Sequence, residues 1–352
     1  FRVLQKDREI ACDNSVIHIV GKSQSTNYGY TLIRYAQRMP HNAFLSPLSR
    51  LGGEKKVMIQ RIKEIASYKS NTPKQRRKSA VLLLLICTMV YCLSPLLTVY
   101  ASQDASYNFQ SQNVEAMDLS SYFKGTDGTF VLYDTVSDQY QIYNQELSTK
   151  RISPDSTFKI YSGLFALEED IIHYDASGQK WDGTTYSFDT WNKDQTLATA
   201  MQNSVNWYFQ AIDSQAGFEA VRTFLQTINY GNQNTGTNLN LYWTDFSLKI
   251  SPIEQVELLQ DFYQNNFHFD SKNIQAVKKA LLLSTTSSGS LYGKTGTGRV
   301  NGKDVNGWFI GYIETANNTY YFATNIQSSS GATGSQATEI TESVLSNLGI
   351  WK

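Results

Sequence analysis

Residues 79–103 contain no charged side chain, and their centre reads Val81-Leu82-Leu83-Leu84-Leu85-Ile86-Cys87-Thr88-Met89-Val90. About 20 apolar residues suffice for a helix to cross a bilayer. The stretch therefore predicts one membrane helix, placed at 79–101, since a helix buried in a soluble core does not require so long an uncharged run. Pro95 is expected to kink or end it. Lys74-Gln75-Arg76-Arg77-Lys78 stands directly before the run, and Asp104 is the first charge after it. The positive-inside rule then puts residues 1–78 in the cytoplasm and 105–352 outside, with Tyr91 and Tyr100 available to the outer interface. This single feature divides the chain into two parts in different surroundings.

Charge follows the division. The formal net charge is zero, yet residues 1–78 hold 16 Lys/Arg against 5 Asp/Glu, and residues 79–352 hold 15 against 26. The basic excess suits an anionic inner leaflet, and nothing in it requires nucleic acid; direct nucleic-acid binding is not expected. A hydrophobic fraction of 41% excludes wholesale disorder. Cys12, Cys87 and Cys92 are the only cysteines, so the outer part folds without a disulfide, and no Cys/His pair has zinc-finger spacing. Compartment cannot be read from them. The chain opens at Phe1 in charged, helix-like sequence without a signal-peptide pattern, and the expectation is a fragment of a longer protein.

In the first part, Arg8-Glu9-Ile10-Ala11-Cys12-Asp13 reads as helix, with Glu9 and Asp13 on one face; taken alone, such a pair is ordinarily a solvated face. Residues 51–69 read as a basic amphipathic helix whose apolar side is Val57, Ile59, Ile62 and Ile65, suited to a membrane surface or a partner. No HExxH occurs, so no complete zinc site follows.

In the outer part, Phe130-Val131-Leu132-Tyr133 and Tyr140-Gln141-Ile142-Tyr143 predict a hairpin. Ser153-Pro154-Asp155-Ser156-Thr157-Phe158-Lys159 then opens a helix, with Pro154 and Asp155 as its start signal. Ser156 and Lys159, three apart, are neighbours on its first turn. A desolvated lysine there loses its proton readily and can activate the hydroxyl as a nucleophile. Alone, S-x-x-K is weak. It is followed, however, by Ser204-Val205-Asn206 in a helical stretch, by Tyr230-Gly231-Asn232, and by Lys294-Thr295-Gly296-Thr297-Gly298 ahead of a strand, Gly307-Trp308-Phe309-Ile310-Gly311-Tyr312. The set supplies a serine to acylate, a second serine to relay protons and a lysine–threonine pair to grip a carboxylate.

S-x-x-K, S-x-N and K-T-G in that order are the signature of penicillin-binding proteins and serine β-lactamases. Residues 120–351 resemble the class D branch through Tyr230-Gly231-Asn232, Tyr292-Gly293-Lys294-Thr295-Gly296, and Trp243 followed by Ser247-Leu248-Lys249-Ile250-Ser251. Asn203-Ser204-Val205-Asn206-Trp207-Tyr208 and Asn306-Gly307-Trp308-Phe309-Ile310-Gly311-Tyr312 resemble the β-lactam sensor–transducers of Gram-positive bacteria, the BlaR/MecR type. That resemblance implies an α+β serine β-lactamase/penicillin-binding fold, an antiparallel sheet flanked by helices, behind one transmembrane helix. The organisation it implies is a cytoplasmic end of a zinc metallopeptidase region (1–78), a membrane helix (79–101) and an extracellular sensor (105–352). Arg8 to Asp13, with Tyr28-Gly29-Tyr30, resembles the segment after the peptidase's HExxH helix, which would make Glu9 a zinc ligand whose companions lie outside this chain.

By the same resemblance Ser156 is acylated by β-lactams, Lys159 is carboxylated by CO2 at rest, and Ser204 protonates the leaving nitrogen. The N–H groups of Ser156 and Thr297 form the oxyanion hole, and Asn206, Trp243, Lys294, Thr295, Gly296 and Thr297 line the substrate site. Trp243 packs near the lysine. Asn206 stands where class D hydrolases carry valine; its amide favours loss of CO2 and a lasting adduct, hence a sensor that acylates without efficient turnover. The expected partners are β-lactams, the membrane of a Gram-positive cell and a DNA-binding repressor of resistance genes. The rival readings are a membrane-anchored class D β-lactamase with turnover, a transpeptidase and a relict peptidoglycan-binding module. Trp207, Tyr208 and Trp308 are expected in the core, and His18, His41, His173 and His268 are read as structural.

Overall fold

The computed structural model describes residues 2–38, 55–68 and 73–352, with the side chains of 2–6, 38, 55–56, 73, 75–76 and 92–104 outside the description. His41 and the opening of the helix expected at 51–69 lie outside the described residues. The chain divides into two compact units, residues 1–95 and 96–352.

The first unit holds α1 (Arg2–Val20), α2 (Ser25–Arg38), α3 (Lys55–Ala66) and the start of α4 (Pro73–Ala105). Glu9 and Asp13 share the face of α1 that spacing predicts. That face is not solvated at Asp13. The carboxylate is buried and takes Arg61 Nε at 2.7 Å and a second guanidinium N–H at 2.8 Å, with the Tyr28 hydroxyl donating at 2.8 Å. Arg61 also lies 3.3 Å from Glu9. The apolar side of α3 is partly consumed inside the unit: Ile65 is buried with Ile17 of α1, whereas Ile59 stays exposed. A Cβ on Gly29 of α2 would touch Ile65 at 3.7 Å, so α3 finds its packing partner within the unit. Helix α4 runs through Pro95, which does not end it. Among the described residues no helix is long and apolar enough to cross a membrane. The side chains of the apolar stretch beyond Tyr91 lie outside the description.

In the second unit, seven strands pair in the order β1 (Val114–Ala116), β3 (Gln139–Tyr143), β2 (Asp127–Asp134), β7 (Thr319–Gln327), β6 (Lys303–Glu314), β5 (Gly289–Val300) and β4 (Leu282–Thr286). The predicted hairpin is β2–β3, in register Val131↔Ile142. The sheet is mixed, not purely antiparallel, because β1 joins the β3 edge in parallel. Successive residues point to opposite faces, and both faces are covered. Phe130, Leu132, Phe309 and Phe322 pack with Ala337, Val344 and Leu345 of α12 (Gly334–Asn347). Val131, Ile310, Tyr312 and Tyr321 face the helical side. There lie α5 (Gln145–Thr149), α6 (Lys159–Glu168), α7 (Leu197–Gln202), α8 (Asn206–Ala216), α9 (Phe218–Thr227), α10 (Pro252–Gln264) and α11 (Ser271–Leu281). Each large apolar side chain buried this way contributes about 1.5–3 kcal/mol. Tyr208 and Trp308 are fully buried, as expected; Trp207 is only half-buried.

Candidate active site

Three peptide segments meet between β5 and the helical side. The first is a 3-10 turn, Asp155–Phe158, which leads into α6. Pro154 supplies its first carbonyl, which takes the Thr157 N–H at 3.1 Å and the Thr157 hydroxyl at 2.7 Å. The turn places Ser156 on its rim and carries Lys159 inward to complete burial. Lys159 Nζ donates to Ser156 Oγ at 2.6 Å and to Asn206 Oδ1 at 2.7 Å. Burial, with the charge of Lys294 adding to it, holds the ammonium well below its ordinary pKa; Asp155 and Asp213 act in the opposite sense.

The second segment is the turn between α7 and α8. Ser204 does not sit in a helix, as its surroundings suggested. Its φ is 53°, a left-handed conformation that a serine rarely adopts. The turn is closed by Ser204 N–H on Met201 O at 3.2 Å and Val205 N–H on Ala200 O at 2.9 Å. Asn206 follows as the first residue of α8, which aims its amide at Lys159.

The third is β5. Lys294 Nζ donates to Ser204 Oγ at 2.9 Å and to the Thr295 carbonyl at 3.0 Å. Burial lowers its pKa to about 7. Each serine thus has its own buried lysine. Gly296 lets β5 pass close to the nucleophile's turn: a Cβ there would stand 3.3 Å from Ser156 N and 3.1 Å from Pro154 O. Thr297 is exposed, and its hydroxyl accepts the Gly334 N–H at 2.9 Å while keeping its own proton to donate. Thr295 is half-buried, on the side where α12 begins.

Trp243 closes the pocket behind Lys159, its ring centroid 4.5 Å from Nζ. The indole is fully buried and its Nε1 makes no hydrogen bond. A buried donor without a partner beside a buried lysine fits a carboxylated Lys159. Tyr230 packs edge-on against Phe158 and Tyr161, and Asn232 ties its loop to Ser247 O and Lys249 N–H, a turn role.

Among the described residues no three His, Cys, Asp or Glu side chains gather as a metal site. Glu9 is engaged by Arg61 and Arg8, so the residues present do not by themselves make a zinc centre.

Sequence reasoning did not single out two carboxyl groups. Asp155, read only as a helix start, is buried at φ 49°, accepts Asn306 Nδ2 at 2.7 Å and leaves Oδ1 unpaired. Asp213 is buried on α8. The one signal for it was a charge within the apolar face formed by Phe209 and Ile212.

Residues 104–346 match the penicillin-binding protein transpeptidase domain. The chain belongs to that family. This transpeptidase-family chain is 38% identical to Regulatory protein BlaR1 of Bacillus licheniformis over 347 residues, 98% of its own length. It spans 58–59% of the BlaR1 and mecR1 relatives it matches. Its second unit is similar to the C-terminal domain of the Bacillus licheniformis BlaR penicillin-receptor (TM-score 0.67, 45% identity, 69% of this chain and 100% of that one). It is also similar to a class D β-lactamase from Bacillus subtilis (TM-score 0.63, 35% identity, 67% and 97%). Homology to BlaR1 and mecR1 and a class D-like α+β fold therefore hold together for this family member.

Proposed function

We propose that the second unit is a β-lactam sensor, acylated at Ser156 and slow to release the acyl group. The carrying observation is Lys159 Nζ, buried and shared between Ser156 Oγ and Asn206 Oδ1. A lysine held neutral by burial takes the Ser156 proton as Oγ bonds to the lactam carbonyl carbon. The carbonyl oxygen gains the charge, next to the N–H groups of Ser156 and Thr297 that Gly296 allows to approach each other. The ring C–N bond then breaks, and Ser204, backed by Lys294, delivers a proton to the departing nitrogen. Lys294, Thr295 and Thr297 offer donors for the substrate carboxylate. When bound, CO2 would convert Lys159 into a carbamate base, with Trp243 Nε1 as the donor to hold it. After acylation, the Asn206 amide keeps Lys159 engaged, leaving little base to activate water.

Further parts of this reading are supported by the relatives and the charge pattern. Residues 79–101 anchor the protein in the membrane with 105–352 outside. Residues 1–78 join a metallopeptidase region in which Glu9 is a ligand completed from elsewhere, and acylation leads to relief of repression of resistance genes through a DNA-binding repressor. A second reading, a tethered class D β-lactamase, is favoured by the unpaired Trp243 Nε1, which suits a hydrolytic base.

Intact-mass spectrometry with benzylpenicillin decides between them. A one-to-one adduct that persists for hours and is absent in Ser156→Ala is the expected result. An adduct that disappears within seconds while penicilloate accumulates establishes the hydrolase, and neither adduct nor turnover overturns both.

A further inference from the structure

Asp213 has no place in the chemistry above, yet it is tied to α6, which carries Lys159, and to Tyr242 beside Trp243. Its Oδ1 accepts the hydroxyl of Ser162 on α6 at 3.0 Å, one turn beyond Lys159. Its Oδ2 accepts the hydroxyl of Tyr242, the residue before Trp243, at 3.1 Å. Asp213 itself lies seven residues along α8 from Asn206, two turns on and so towards the same side of the helix. Its side chain is fully buried and meets neutral donors only; the charged group facing it is Lys159 of α6, and the titratable one is Tyr242. Lys159 in turn faces Asp155 and Lys294. Burial raises the Asp213 carboxyl to about 7, and the Ser162 and Tyr242 hydroxyls, with the nearby Trp243 N–H, act in the opposite sense, so the carboxylate is the form present above pH 7.

We propose that Asp213 is a positioning residue for the reaction at Ser156, its carboxylate biasing Lys159 towards the uncarboxylated amine and so prolonging the adduct. This deepens the sensor reading and rests on it. Carboxylation joins Lys159 Nζ to the carbon of CO2 and releases one proton, placing an anion where the chain already holds one. A negative charge behind the pocket opposes that anion and so lowers the affinity of the neutral amine for CO2. It also stands near the Trp243 N–H, the donor that a carbamate would use.

The test titrates the full chain in detergent with 13C-bicarbonate and follows the lysine carbamate by 13C NMR, before any β-lactam is added and above pH 7. Asp213→Asn keeps the side chain's size and removes the charge. It is expected to raise CO2 affinity at least tenfold, the effect of removing a unit charge about 12 Å away or nearer at an effective dielectric of about 20, and to shorten the adduct lifetime. Tyr242→Phe and Ser162→Ala strip one donor each from the carboxylate, disfavour its ionised form and are expected to shift CO2 affinity the same way by less. A purely structural role gives the opposite sign, because a loosened pocket loses carbamate. Unchanged or weakened CO2 binding in the variants overturns the proposal, as does no carbamate in any of them. Failure of benzylpenicillin to label wild type would sink the acylation reading separately, with the CO2 titration still informative.

Discussion

Asp155 shows how the nucleophile's turn is held. The residue before Ser156 takes a left-handed backbone, which Asp and Asn tolerate better than other side-chain-bearing residues. Burial raises its carboxyl to about 7. Between the ordinary carboxyl range and that value the folded protein keeps a proton that the unfolded chain has released, so stability falls as pH rises through this window. Asp155→Asn keeps both the backbone preference and an acceptor for Asn306. Urea unfolding from pH 4 to 7 is expected to lose stability less steeply in this variant, by up to about 1.4 kcal/mol per pH unit. An unchanged slope would show that Asp155 does not keep its proton. The acylation constellation was legible in sequence because its residues come in short fixed spacings that survive without a fold. Asp213 and the orphan Trp243 N–H were not: a lone charge in an apolar helix face and an indole in a loop come near each other only when α8 and residues 238–245 pack together.

Among the elements, α10 carries the clearest local instruction. Ser251 Oγ accepts the Glu254 N–H at 3.2 Å while Glu254 Oε2 accepts the Ser251 N–H at 2.9 Å, and Pro252 occupies the first turn. Glu254 also pairs with Arg151, five residues before Ser156, so one cap serves the helix and the approach to the nucleophile. Ser251→Ala is expected to cost about 1 kcal/mol in urea unfolding. Glu254→Gln, which leaves an acceptor for the cap but removes the counter-charge, tests the ion pair separately. The hairpin β2–β3 and the strand at Gly307–Tyr312 could be read because they alternate or run apolar between turn residues. Strand β1 could not: three residues give no period, and its parallel pairing with β3 is a long-range choice. Ser204 looked helical because helices stand on both sides of it, and its left-handed turn carries no glycine to betray it.

For the whole molecule, the proposed span makes a prediction that does not depend on the site. The full chain expressed in a Gram-positive host is expected to stay in the membrane pellet after an alkaline wash. Residues 105–352 alone are expected in the soluble fraction, and protease added to intact cells should remove the second unit. Recovery of the full chain in the supernatant would contradict the anchor. The two units differ in what holds them. Among the described residues the first buries an Asp13–Arg61 pair with Ile17 and Ile65; the second has an apolar core on each face of its sheet and no cysteine.

The lysine set between two neutral oxygens, Ser156 Oγ and Asn206 Oδ1, has a consequence in time. On the proposed reading, a receptor whose ester outlasts its ligand counts encounters and keeps the total. Its occupancy follows the accumulated dose, so a brief pulse and a long, dilute exposure of equal product write the same record. Washing the antibiotic away erases nothing. The record fades only as growing cells dilute the modified copies with newly made ones, which makes the generation time the clock on which the alarm resets.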